Sequence, residues 1–128
     1  MRVMTYNILD GGTERAALIA EVIARAQPDI VLLNEADDER VVASLAEQLA
    51  MQSVWARGSG DKHIALLSRL PIVEWRIYNQ RPITQAMLAV TLQLPNPNLQ
   101  SPTSNPQSEI RNLKLFGIHL LPYFMLLP

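Results

Sequence analysis

The chain has 128 residues, 48% of them apolar, which suits one domain with one sizeable buried core and excludes disorder of the whole. Eleven basic and twelve acidic side chains leave a net charge of -1, so there is no broad positive field for a long polyanion, and any phosphate binding has to come from a local site. The absence of Cys removes disulfides, thiolate metal sites and cysteine nucleophiles, and with no signal-like amino terminus and no run of about 18 apolar residues a soluble, cytoplasmic protein without a membrane span is expected.

In chain order, Arg2 to Leu9 is β-rich and ends at the turn signal Asp10-Gly11-Gly12, after which Thr13 is a candidate cap for a helix running to Ala26. Pro28 stops that helix. Asp29 to Glu35 then reads as a nearly continuous apolar strand of the kind buried on both faces. A second amphipathic helix is predicted from about Glu39 to Ala50, with Asp37 and Asp38 as cap candidates and Val42, Leu45, Ala46 and Leu49 on one side. Ser53 to Ala56 and His63 to Ser68 flank the turn Gly58-Ser59-Gly60-Asp61 and read as a hairpin. Ile72 to Tyr78 and Ala86 to Leu94 are further strands. Residues 95 to 111, with four prolines among Asn, Ser and Gln, are expected to form a mobile loop within the domain, and Leu113 to Leu120 is the last strand.

Three polar side chains fall late in apolar strands: Asn7, Glu35 and His119. Ligands bind at the carboxyl ends of strands in open α/β sheets, so the coincidence points to a site. Asn7 and Glu35 offer oxygen donors suited to a hard cation such as Mg²⁺, which keeps several waters and needs only one or two carboxylates. His119 suits a hydrogen bond to a phosphate oxygen or a proton transfer. Each also has a plainer reading. Asn7 can stabilise the turn, Glu35 can be a solvated loop charge, and His119 can be a hydrogen-bonded core histidine. Asp37, Asp38 and Glu39 read most simply as charges complementing a helix dipole, and His63 as an exposed residue at a strand start.

The same residues resemble the endonuclease/exonuclease/phosphatase family. Arg2-Val3-Met4-Thr5-Tyr6-Asn7-Ile8 is similar to its opening strand, and Pro28-Asp29-Ile30-Val31-Leu32-Leu33-Asn34-Glu35 to its second strand, with Asn34 where Gln is frequent. Ile64-Ala65-Leu66-Leu67-Ser68-Arg69-Leu70-Pro71-Ile72 resembles the family's Ser-Arg hairpin, and Leu115-Phe116-Gly117-Ile118-His119-Leu120 its His-bearing strand.

The resemblance implies a metal-dependent hydrolase of phosphoester bonds, with Asn7 and Glu35 at a Mg²⁺ site (Mn²⁺ as the alternative), His119 on the scissile phosphate, and Ser68 and Arg69 structural. It implies an α/β (α+β) fold, a partial four-layer sandwich made mostly of one mixed sheet with two amphipathic helices. The family's Gly-Asp-x-Asn motif and late Asp-His pair do not occur in these residues. A truncated domain is therefore expected, weak or inactive as a catalyst, or else a non-catalytic remnant or binding module. Self-association through an uncovered sheet and the apolar ending Leu120 to Pro128 is also expected.

Overall fold

In the computed structural model, residues 1–80, 85–95 and 111–119 are described. The elements are β1 (Val3–Asn7), a 3-10 turn (Asp10–Gly12), α1 (Ala16–Ala26), β2 (Ile30–Asn34), α2 (Glu39–Leu49), β3 (Gln52–Ala56), β4 (Ile64–Ser68), β5 (Ile72–Tyr78), β6 (Met87–Gln93) and β7 (Asn112–Ile118). Most of the expected loop at 95–111 and the apolar ending at 120–128 lie outside the described residues.

The strands form two sheets. The first has the order β1-β2-β4-β3, with β1 and β2 parallel and the other pairs antiparallel. The second is the antiparallel sheet β5-β6-β7. The α+β class and the two helices are as expected, but the strands divide four and three between two sheets, where one dominant sheet was expected. The reason is visible in side-chain alternation. Val31, Leu33, Ala65 and Leu67 point to one face and join Ile19, Ile23, Val42 and Leu45 of the helices. Their neighbours Ile30, Ile64 and Leu66 point to the other face and meet Leu88, Val90 and Leu92 of β6. A sheet apolar on both faces needs a layer on each side, and β5 to β7 supply the second.

Helix ends follow local chemistry. The Asp38 side chain accepts a hydrogen bond from the Arg40 N–H and caps α2. α1 ends at Gln27 in the left-handed conformation, just before Pro28. Thr13 does not cap α1. That helix starts later, with Arg15 at the cap position and no side-chain cap bond, because Leu9 to Gly12 and Glu14 all take positive φ. The Ser-Arg pair is structural. Ser68 Oγ bonds the backbone of Leu70, and the Arg69 guanidinium donates to the carbonyls of Pro28 and Leu49, tying the end of β4 to the ends of both helices.

Gly117 sets the distance between the sheets. A Cβ at this position would run into the side chain of Leu32, so β7 crosses β2 with only hydrogens between backbone and Leu32 methyls. That close approach brings the end of β7 over the end of β2.

Candidate functional site

The parallel pairing of β1 and β2 aligns Asn7 with Asn34, so the next residue, Glu35, leaves the sheet beside the end of β1. Asn7 Nδ2 donates to Glu35 Oε1 at 2.9 Å, while Asn7 Oδ1 accepts from the Leu9 N–H at 2.9 Å. Asn7 thus stabilises its turn and orients Glu35 at once. The turn folds back on Glu35 through Gly11 N–H to the Glu35 carbonyl (2.8 Å) and Asp10 N–H to Glu35 Oε2 (3.3 Å). Gly11, at φ 75°, lies so close to Asp38 N that a Cβ would sit 2.8 Å from it. Leu9, Asp10 and Glu35, none of them glycine, also carry positive φ. Such strain concentrates where surrounding structure holds a functional geometry in place.

The carboxylates of Asp10, Glu35 and Asp37 offer oxygens that all lie within 4.8 Å of one another. Into this cluster the hairpin between β3 and β4 inserts Lys62, whose Nζ is 2.7 Å from Asp10 Oδ1, 3.0 Å from Glu35 Oε2 and 3.3 Å from Asp37 Oδ2. The hydrogen bond from Asn7, followed by that from Lys62, holds the Glu35 carboxyl down at about 2. Contacts first with Asp10 and then with Glu35 push the Lys62 ammonium above its usual value. Both groups stay charged across the physiological range.

Sequence reasoning found Asn7 and Glu35 and missed the other members. Asp37 is not a simple helix-dipole charge: its Oδ1 accepts from the His63 N–H at 2.8 Å while its other oxygen faces Lys62. His63 is buried rather than exposed. Its Nδ1 accepts from the Gly58 N–H, its ring meets Trp55 edge-on at 5.2 Å, and its carbonyl accepts from Ala36. These bonds fix the hairpin against the end of β2, which is what aims Lys62. Asn34 Nδ2 donates to Thr5 Oγ1 at 3.3 Å.

His119, the first residue past β7, arrives from the other sheet. Its Nε2 stands 3.9 Å from Glu35 Oε1, beyond hydrogen-bond length, and its buried Nδ1 has no hydrogen-bond partner among the described residues. The three residues singled out in sequence therefore meet at one end of the fold.

The sequence profile of the Endonuclease/Exonuclease/phosphatase family matches residues 4–120. The chain belongs to this family. The family is one of phosphoester hydrolases that generally depend on a divalent metal ion. Compared sequence against sequence with curated proteins, the chain finds no significant relative. Among solved structures it is similar to the human Nocturnin catalytic domain with bound sulfate anion (TM-score 0.68, 23% identity, 91% of this chain and 48% of that one). It is also similar to an endonuclease/exonuclease/phosphatase from Beutenbergia cavernae (TM-score 0.58, 25% identity, 74% and 35%). A third is a 3′ phosphatase from Neisseria bound to product DNA hairpin (TM-score 0.56, 17% identity, 72% and 37%). The chain spans less than half the length of each of these structures.

The residues at this end of the fold suit the metal the family implies. They are hard oxygen donors, and a cation, the Lys62 ammonium, already sits in contact with all three carboxylates. Among the described residues, no helix is long and apolar enough to cross a membrane.

Proposed function

We propose that the chain carries the metal-binding and phosphate-contacting part of a divalent-metal-dependent hydrolase of phosphoester bonds. The observation that supports this reading best is the convergence of Asn7, Glu35 and His119, from two different sheets, on one cluster of carboxylates. In this reading Glu35 and Asn7 hold Mg²⁺, for which Mn²⁺ can substitute. Glu35 is ionised well below neutral pH, so no proton competes for its oxygens. Asn7 orients that carboxylate and retains a second lone pair on Oδ1. A bound Mg²⁺ supplies Lewis-acid stabilisation of charge on a phosphoryl oxygen. His119, whose Nε2 lies 3.9 Å from Glu35 Oε1, would donate a hydrogen bond to a phosphate oxygen and steady the group undergoing attack by water.

A second reading is a binding module without turnover, and it is favoured by one feature. The sequence holds no Gly-Asp-x-Asn motif and no adjacent Asp-His pair to position and activate water. A positioned general base contributes about 10² to 10⁴ in rate, so these residues by themselves should bind the ion and turn over poorly.

Calorimetric titration with Mg²⁺ should show weak binding that Glu35→Ala abolishes; equal heats from the two proteins would remove the metal assignment. Hydrolysis of a generic phosphodiester with Mg²⁺ should be negligible. Robust turnover that disappears in His119→Ala would instead establish catalysis by this chain alone.

A further inference from the structure

The reading of Glu35 as a metal ligand leaves Lys62 without a role, and its position is specific. Its Nζ bonds all three carboxylates of the cluster at 2.7 to 3.3 Å, so it sits where a cation shared by those oxygens would sit. The side chain is held there by its own backbone setting. The next residue, His63, is buried and fixed by Asp37, Gly58 and Ala36, while the preceding turn carries Gly58 and Gly60.

We infer that Lys62 is a tethered competitor of the divalent cation: it neutralises the Asp10, Glu35 and Asp37 cluster when no metal is bound and must withdraw when one binds. This rests on the metal reading of Glu35. Two cations cannot share one set of oxygens a few ångströms apart without strong repulsion, so the ion gains the carboxylates only as the ammonium gives them up. Lys62 is suited to this exchange. Its flexible stem and single point charge can swing away, and with 31% of the side chain already exposed the ammonium has a short path to water. The consequence is a lowered affinity for Mg²⁺ and a folded metal-free state in which three close carboxylates do not repel one another.

The test is Mg²⁺ titration calorimetry on the wild-type chain, Lys62→Met and Lys62→Arg, with thermal melting of each in chelator and in excess Mg²⁺. Lys62→Met should bind Mg²⁺ at least tenfold more tightly than wild type. It should melt lower than wild type in chelator and recover most of that loss in Mg²⁺, whereas Lys62→Arg should keep wild-type affinity. A lysine that serves only as an ion-pair partner would give a loss of stability that Mg²⁺ does not recover. If wild type and Lys62→Met bind Mg²⁺ equally, or Lys62→Met binds more weakly, and Glu35→Ala abolishes binding in both, the competitor role is overturned while the metal site stands. If no variant binds Mg²⁺ and none is stabilised by it, both the competitor role and the metal reading fall.

Discussion

In the first sheet β2 and β4 are covered on both faces, by α1 and α2 on one side and by β5 to β7 on the other, and β4 is buried along its whole length, while Val3, Thr5 and Asn7 of the edge strand β1 are exposed. Among the described residues, the second sheet has one covered face. Its other side displays Phe116 and Ile118 at 64% and 45% exposure, beside Lys114, Glu74 and Arg76. The contrast explains where chemistry is concentrated. Strands buried on both faces, as β2 and β4 are, have room for polar groups only at their ends, and there lie Glu35 and, through the connections, Asp37 and Lys62, beside Asn7 of β1 and Asp10 of the turn that follows it. The second sheet contributes a single residue to the same point, His119, and does so because Gly117 lets it lie close.

The largest effect expected from this contrast is in the doubly covered strands. Leu67→Ala, which opens space between β4 and the helices, should cost about 2 to 5 kcal/mol in urea unfolding. A smaller loss would mean that the helix layer packs loosely. Next comes the junction between sheets. Gly117→Val forces a side chain against Leu32 and should cost about 1 to 3 kcal/mol. It should also disturb the His119 resonances in NMR while leaving those of Asn7 and Glu35 near their original positions. Unchanged His119 shifts would mean that the junction does not set its place.

The site itself should show in the pH dependence. Glu35 has its folded-state value lowered from the usual 4.5 to about 2, so its contribution to stability is present above pH 4.5 and is lost as pH falls toward 2. Urea midpoints of wild type should fall between pH 5 and pH 2.5, and Glu35→Gln should flatten part of that fall; identical slopes would contradict the bonding described for this carboxylate. The smallest effect belongs to the open face. Phe116→Ser should change stability by no more than about 0.5 kcal/mol.

Much of this was legible in sequence because it depends on patterns along one strand or helix. The apolar run from Ile30 to Leu33, the turn at Gly58 to Asp61 and the cap at Asp38 each have a local cause. Asn7, Glu35 and His119 could be picked out because each interrupts an apolar strand near its end. The division into two sheets was not legible, since it follows from which face of β4 meets which layer. Lys62 and Asp37 gave no signal for a related reason. A lysine after a polar turn and an aspartate before a helix both have sufficient local explanations, and only the burial of His63 between them, a long-range fact, turns them toward Glu35.

The central claim is that the carboxylate cluster at the end of β2 is a divalent-cation site built around Glu35. Crystals equilibrated with Mn²⁺ test it directly through anomalous scattering. The account predicts a peak bonded to a Glu35 carboxylate oxygen, with the Lys62 ammonium displaced from the cluster. A well-ordered map with no peak there, and Lys62 still bridging Asp10, Glu35 and Asp37 at saturating Mn²⁺, would contradict it.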